Sequence, residues 1–407
     1  MDVSSSEIGN LINNKSMRRK YILTPVVLLF SMTIAAQQSN INLSHNPQKD
    51  TEGLIPFSAS LNSPQVNDDQ TVIFRLKAPK AESVALSSGA ITTVLGLKGT
   101  VPFTKGDDGI WTLKLGPLPV DMYQYNLVVD GVSMADPNNT YASFTAMPPY
   151  SELIIHGDKP TWYDAQNVPH GAVTRHVYHS DVTGGEREMY VYTPPFFDSN
   201  KEYPVLYLMG GSGELPSNWI YDGRVNFIMD NLLAEGKVKP MIIAIVNNQV
   251  VHRNHPRHAE LSFDIMEREY REVIIPFIDK NYKTIANPKG RAISGLSMGG
   301  RHTIFVGLNS TDLFSNFGIL SAGDNNCEKT IGKFLNDPKA NDKVDVLFIG
   351  QGGGEESGFF NARVKGLRDA LDSRKIDYKY LSVGKTGHDW STWRNLLYQG
   401  FLPMLWK

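Results

Sequence analysis

Cysteine is nearly absent from this sequence. The 407 residues contain one, Cys327, so no disulfide can form within the chain. Its neighbours Asp324, Asn325, Asn326 and Glu328 would not stabilise a thiolate, which argues against a cysteine nucleophile. An excess of one charge sign is also missing. A formal net charge of -2 gives no electrostatic argument for binding nucleic acid or an anionic membrane. Nor is there a long apolar run. The best stretch, Tyr21 to Ile34, is short and broken by Thr24, Pro25, Ser31 and Thr33, so it does not read as a membrane span. The glycine-rich stretch from Gly350 to Ser357 is followed by no Gly-Lys-Ser/Thr, which excludes a phosphate cradle. No internal repeat is present.

The composition that remains is ordinary for a globular protein. Hydrophobic residues make up 41% and charged residues 20%, enough for a large core, and the length favours two domains or more. The first 36 residues read as an export signal with an upstream extension. Met17-Arg18-Arg19-Lys20 is a positive n-region, Tyr21–Ile34 an apolar h-region, and Ala35-Ala36 a cleavage site. Met17 is a candidate start. The expected product is an exported, bacterial periplasmic or secreted protein with no stable membrane insertion after cleavage. Residues 37–60, rich in Asn, Gln and Ser, read as a linker.

Two patterns follow. Residues 61–150 carry short alternating runs at Thr71–Leu76, Ser83–Leu86, Gly109–Leu115 and Tyr123–Val129, the last leading into Asp130-Gly131. Such spacing predicts a small all-β immunoglobulin-like sandwich. Residues 165–407 alternate strand and helix instead. Pro204–Met209 and Met241–Val246 are continuous apolar runs, as expected of strands buried on both faces. Phe263–Lys280 carries a helical apolar stripe. Further strands are expected at Met189–Tyr192, Phe314–Leu320, Val344–Ile349 and Tyr378–Val383, with helices at Met298–Leu308, Phe359–Ser373 and Trp390–Leu402. The fold class is therefore α/β, a doubly wound, mostly parallel sheet behind a sandwich.

One junction in this second region carries chemistry. Arg291–Gly300 reads RAISGLSMGG, with Gly-x-Ser-x-Gly between an apolar run and a helix-compatible segment. That is the nucleophile elbow of serine hydrolases, and it makes Ser297 the candidate nucleophile. The partners should follow in the order acid, then histidine. His388, in Gly387-His388-Asp389-Trp390 after the last strand, is the candidate base. The loop after Val344–Ile349 has no aspartate, so the acid must be Glu355, preferred, or Glu356. Two backbone N–H groups should form the oxyanion hole. Met298 supplies one, and Gly211 in Gly210-Gly211-Ser212-Gly213 supplies the other. Trp219 and Trp390 flank the site and are candidate substrate contacts. His252, His255 and His258 lack metal-ligand spacing, and Pro256 interrupts them, so they read as cleft lining. No metal and no cofactor is assigned.

With these motifs in hand, the chain resembles the feruloyl-esterase and esterase-D-like group of α/β-hydrolases, carbohydrate esterase family 1. The likeness runs through VPHG at 168–171, YVYTPP at 190–195, YPVLYLMGG at 203–211, Trp219, RAISGLSMGG at 291–300 and GHDWSTWRNLLYQGFLPMLW at 387–406. The sandwich region resembles the early-set domain that often precedes such esterases, similar to carbohydrate modules. The resemblance implies a Ser-His-acid esterase acting on feruloyl or acetyl esters of plant polysaccharides such as xylan. The alternatives are a siderophore-ester or acyl-thioester hydrolase, or a catalytically dead carbohydrate-binding protein. Two departures stand out: Met209 where the family has histidine, and glutamates where it has aspartate.

Overall fold

The run Val205–Met209 (β3) sits at the centre of an eight-stranded sheet and shows why its sequence is apolar throughout. Val205, Tyr207 and Met209 pack into one core layer, and Leu206 and Leu208 into the other. With both faces covered, every position is buried, so the strand shows no alternation. Ile242–Val246 (β4) behaves in the same way. The computed structural model describes residues 61–252 and 254–407. The expected signal and linker, residues 1–60, lie outside it.

The other strands are Ala172–Ser180 (β1), Gly185–Thr193 (β2), Arg291–Leu296 (β5), Asn316–Leu320 (β6), Val346–Gly352 (β7) and Lys379–Val383 (β8). Their order is β1-β2-β4-β3-β5-β6-β7-β8. All neighbours are parallel except β2, which runs antiparallel to both β1 and β4. This is the doubly wound, mostly parallel sheet that the sequence predicts. β1 was not expected. Most of its residues are exposed at the sheet edge, so it lacks an apolar signature. The helix expected from Phe263 begins at His258 and runs on through a π-helical turn to Asn281.

Residues 65–155 form two antiparallel sheets. Val72–Lys77 and Ile110–Leu115 centre one, and Val84–Ser87, Asp121–Val129 and Tyr150–Ile155 form the body of the other. Phe74 and Trp111 from the first meet Leu86, Tyr125, Leu127 and Leu153 from the second. Tyr150–Ile155 carries the sheet past the boundary expected at 150, pairing Ser151 with Tyr125. A helix over Gly89–Leu95, too short to show periodicity, is capped by Ser88 Oγ, which accepts from Ile91 N–H at 3.2 Å.

The second sheet is covered on both faces where Asp121–Val129 pairs with Tyr150–Ile155. Tyr123 and Tyr125 point into the sandwich, whereas Met122 and Ile154 join the core of the large-sheet region. A buried polar network fastens the same contact. Arg394 donates to Asp222 O at 2.7 Å and pairs with Asp121. Ser143 Oγ donates to Asp222 Oδ2 at 3.1 Å, and Gln124 Nε2 to Asp222 Oδ1 at 3.2 Å. Burial first, and the Asp222 charge second, hold Glu152 well above the usual carboxylate range. Arg394→Met should therefore leave Asp121 unpaired and lower the unfolding free energy by about 3–5 kcal/mol in a urea titration. A change within experimental error would show that the network contributes nothing net.

Candidate active site

Ser297 stands where β5 turns into the helix Met298–His302, and its backbone is strained there, at φ 50 and ψ -111. The turn is possible because its neighbours lack side chains. A Cβ on Gly295 would lie 2.5 Å from Gly299 C, and one on Gly299 would lie 2.6 Å from Gly210 O. Ser297 N–H donates to Leu320 O on β6 at 2.9 Å, which fixes the turn to the sheet.

The hydroxyl so presented lies beside an imidazole. Ser297 Oγ is 2.9 Å from His388 Nε2, and His388 Nδ1 is 2.6 Å from Glu355 Oε1. A carboxylate facing Nδ1 favours the proton there and leaves Nε2 free to accept from the serine. Glu355 is buried. Its Oε2 accepts from Gly352 N–H and from Ser321 Oγ, both at 2.7 Å. Glu356, its neighbour, is exposed. Of the two candidate acids, the fold brings Glu355 to the histidine. The short helical turn Gly353–Glu355 after β7 folds it inward.

The loop after β3 departs from expectation. Gly211 lies against Ser297, as a hole donor should, since a Cβ on it would be 3.4 Å from Ser297 Cβ. Its N–H is not free, however. It donates to Glu214 Oε2 at 2.7 Å, because the chain doubles back through Gly213 at φ 81. Gln249 holds the same loop, accepting from Gly213 N–H at 3.1 Å and donating to Gly211 O at 2.8 Å. Asn248 donates to Gly210 O at 2.8 Å. Burial pushes the Glu214 carboxyl up to about 8; the Gly211 bond opposes this and the Asp222 charge adds to it.

The family model "Putative esterase" matches residues 180–404, more than half the chain and all of this geometry. The chain belongs to the esterase family. Among relatives of this esterase, an "Endo-1,4-beta-xylanase/feruloyl esterase" of Xylanibacter ruminicola is 31% identical over 82% of this chain and 44% of its own length. "Endo-1,4-beta-xylanase Y" of Acetivibrio thermocellus is 29% identical over 48% of this chain and 18% of its own. The chain thus spans less than half the length of either. A ferulic acid esterase structure from Anaeromyces mucronatus shares the fold at 23% identity and TM-score 0.51, covering 60% of this chain and 95% of that one. The enterobactin esterase of Shigella flexneri shares it at 15% identity and TM-score 0.60, covering 82% and 92%.

Several expected contacts fall elsewhere in the esterase. Trp219 is fully buried and donates from Nε1 to Met209 O at 2.9 Å, so it is core, not a substrate contact. Its indole packs edge-on against Trp390 at 5.1 Å. Trp390 is mostly buried but does line the cleft beside His388. Of the three histidines, only His258 reaches the pocket at Ser297; His252 and His255 are exposed turn residues. Among the described residues, no group of three or more His, Cys, Asp or Glu could hold a metal ion. Burial raises the Cys327 thiol to about 12, which makes it inert. Sequence reading missed Glu214, Asn248, Gln249 and Ser321. Their only sequence signal is a place on a loop after a parallel strand.

Proposed function

We propose that this esterase hydrolyses feruloyl or related acyl esters of plant polysaccharides such as xylan, through an acyl-enzyme on Ser297. The observation that carries the reading is the unbroken relay from Ser297 Oγ through His388 to the buried Glu355. Ser297 Oγ attacks the ester carbonyl while His388 Nε2 takes its proton. His388 then protonates the leaving alcohol, and a water repeats the sequence to free the acid. Met298 N–H receives the oxyanion. Gly211 N–H joins it once the Glu214 carboxyl turns aside.

The pocket beside Ser297 has a volume of about 240 Å³. It is lined by Phe263 and Phe360, with Ser262, Arg301 and Arg363 at its polar edge. Flat aromatic walls with polar groups suit a hydroxycinnamoyl acid. The two arginines also favour a second reading, hydrolysis of a catecholate siderophore ester. The similar relatives with xylanase and feruloyl esterase names support the first. Export of the protein is part of this proposal and rests on the Met17–Ala36 pattern; among the described residues, no helix is long and apolar enough to cross a membrane. The test is release of ferulate and acetate from arabinoxylan, read by chromatography, with enterobactin as the competing substrate. No ferulate above the Ser297→Ala background would refute the reading.

Glu214 gives a pH signature. Below about 8 its carboxyl is neutral and yields Gly211 N–H readily. Above that value, a carboxylate grips the donor and repels the developing oxyanion. We expect kcat/KM to fall as pH rises through this point, and Glu214→Gln to abolish the fall. An alkaline limb that persists in Glu214→Gln would assign it to another group.

A further inference from the structure

The pocket beside Ser297 is charged in one sense only. Two guanidiniums line it, those of Arg301 and Arg363, and no aspartate or glutamate does. Both come from elements that frame the nucleophile. Arg301 lies one helical turn past Ser297, its N–H donating to Ser297 O at 3.0 Å. Arg363 lies on the helix Phe359–Ser373, which follows the turn carrying Glu355. Among the described residues, neither guanidinium makes an ion pair or a hydrogen bond, and the Arg301 Nε is buried without a partner. The Asp324 carboxylate attracts Arg301 from a distance but is held by Thr330 Oγ1.

Aromatic rings hold the two side chains instead. Arg301 Cζ is 5.2 Å from the centre of the Phe263 ring and 5.6 Å from that of Phe305, and these two rings stack at 3.9 Å. Arg363 Cζ is 4.1 Å from the centre of the Phe359 ring. A ring engages the flat face of a guanidinium and leaves its N–H edge free. It also supplies no counter-charge. Burial first, and the Arg363 charge second, lower the pKa of Arg301, although an arginine stays charged throughout the working range of pH. Two half-buried like charges within reach of each other are costly unless an anion joins them.

We propose that Arg301 and Arg363 select an acyl group bearing a carboxylate at the end remote from the ester, so that the preferred substrate is the half-ester of an aromatic dicarboxylic acid. This rests on the serine-esterase reading above and narrows its acyl group. A carboxylate is flat, accepts two parallel N–H bonds from a guanidinium, and is fully charged at neutral pH, where a phenol titrating near about 10 is not. Phe263 and Phe360 can take the ring that separates this carboxylate from the ester. An acyl group without the second acid would enter the same pocket and leave both charges unpaired.

The test compares two methyl esters of one shape: methyl 4-carboxycinnamate, an anion at pH 7, and methyl 4-carbamoylcinnamate, its neutral amide. Wild type should favour the acid by at least about tenfold in kcat/KM, mainly through a lower KM, since hydrogen bonds between charged groups are the strong ones. Arg301→Met with Arg363→Met should bring the two esters to about parity, and Arg363→Met alone should cut the preference several-fold. Arg301→Lys with Arg363→Lys, which keeps the charge, should retain part of it. The ratio is read within each variant, so a general loss of activity cancels. Parity or a preference for the amide in wild type, or a preference that survives in the double methionine variant, would overturn the proposal. So would turnover of 4-nitrophenyl acetate with neither cinnamate cut. Wild type inactive on all three esters would instead refute the esterase reading on which it rests.

Discussion

Ser297→Ala is expected to lower kcat on 4-nitrophenyl acetate by a factor on the order of 10⁶, with the unfolding midpoint unchanged. The size follows from the site's geometry. The Ser297 hydroxyl faces His388 Nε2 at 2.9 Å, and in the proposed mechanism its oxygen is the atom that bonds the substrate. What remains after its removal is water attack assisted only by binding and the oxyanion donors. The fold should not suffer. The strain at φ 50 is a backbone property, and alanine fits wherever the serine Cβ fits. Residual activity within about tenfold of wild type would mean that the nucleophile lies elsewhere.

Glu355→Gln should cost a factor on the order of 10⁴ in kcat, and Glu356→Gln almost nothing. The glutamine is nearly the same shape, and in one of its two amide orientations its oxygen can still accept from Gly352 N–H and Ser321 Oγ. Toward His388, however, it offers either an N–H, which drives the proton from Nδ1 to Nε2, or a neutral oxygen that stabilises the imidazolium poorly. The first outcome removes the base and the second weakens it. Glu356 is exposed, so its charge is screened by solvent. Equal, near-wild-type rates for the two variants would remove both from the relay. A large loss in Glu356→Gln alone would exchange them.

Much of this was legible in the sequence because parallel strands leave a plain mark. β3 and β4 are buried on both faces and read as unbroken apolar runs, and the elbow announces itself by glycines that the turn sterically requires. What stayed hidden depends on contacts distant in sequence. β1 is an exposed edge strand, marked only by its pairing to β2. Trp219 looks like a site aromatic from its place near the glycine loop, and only the packing shows it beneath Met209 O. Glu214 reaches Gly211 through a left-handed turn at Gly213, which a string of glycines allows but does not dictate. Arg394 and Asp121 are 273 residues apart, so no local pattern could reveal that the sandwich is fixed to the histidine loop.

Covalent chemistry at Ser297 is the step on which the proposed hydrolysis depends. The direct test is to mix the protein with 4-nitrophenyl ferulate, quench with acid in the first turnover, and map its peptides by mass spectrometry. One feruloyl group is expected on the peptide carrying Ser297, formed together with a burst of nitrophenol equal to the enzyme concentration, and neither in Ser297→Ala. A feruloyl group on any other residue, or steady turnover with no acyl-enzyme and no effect of Ser297→Ala, would contradict it.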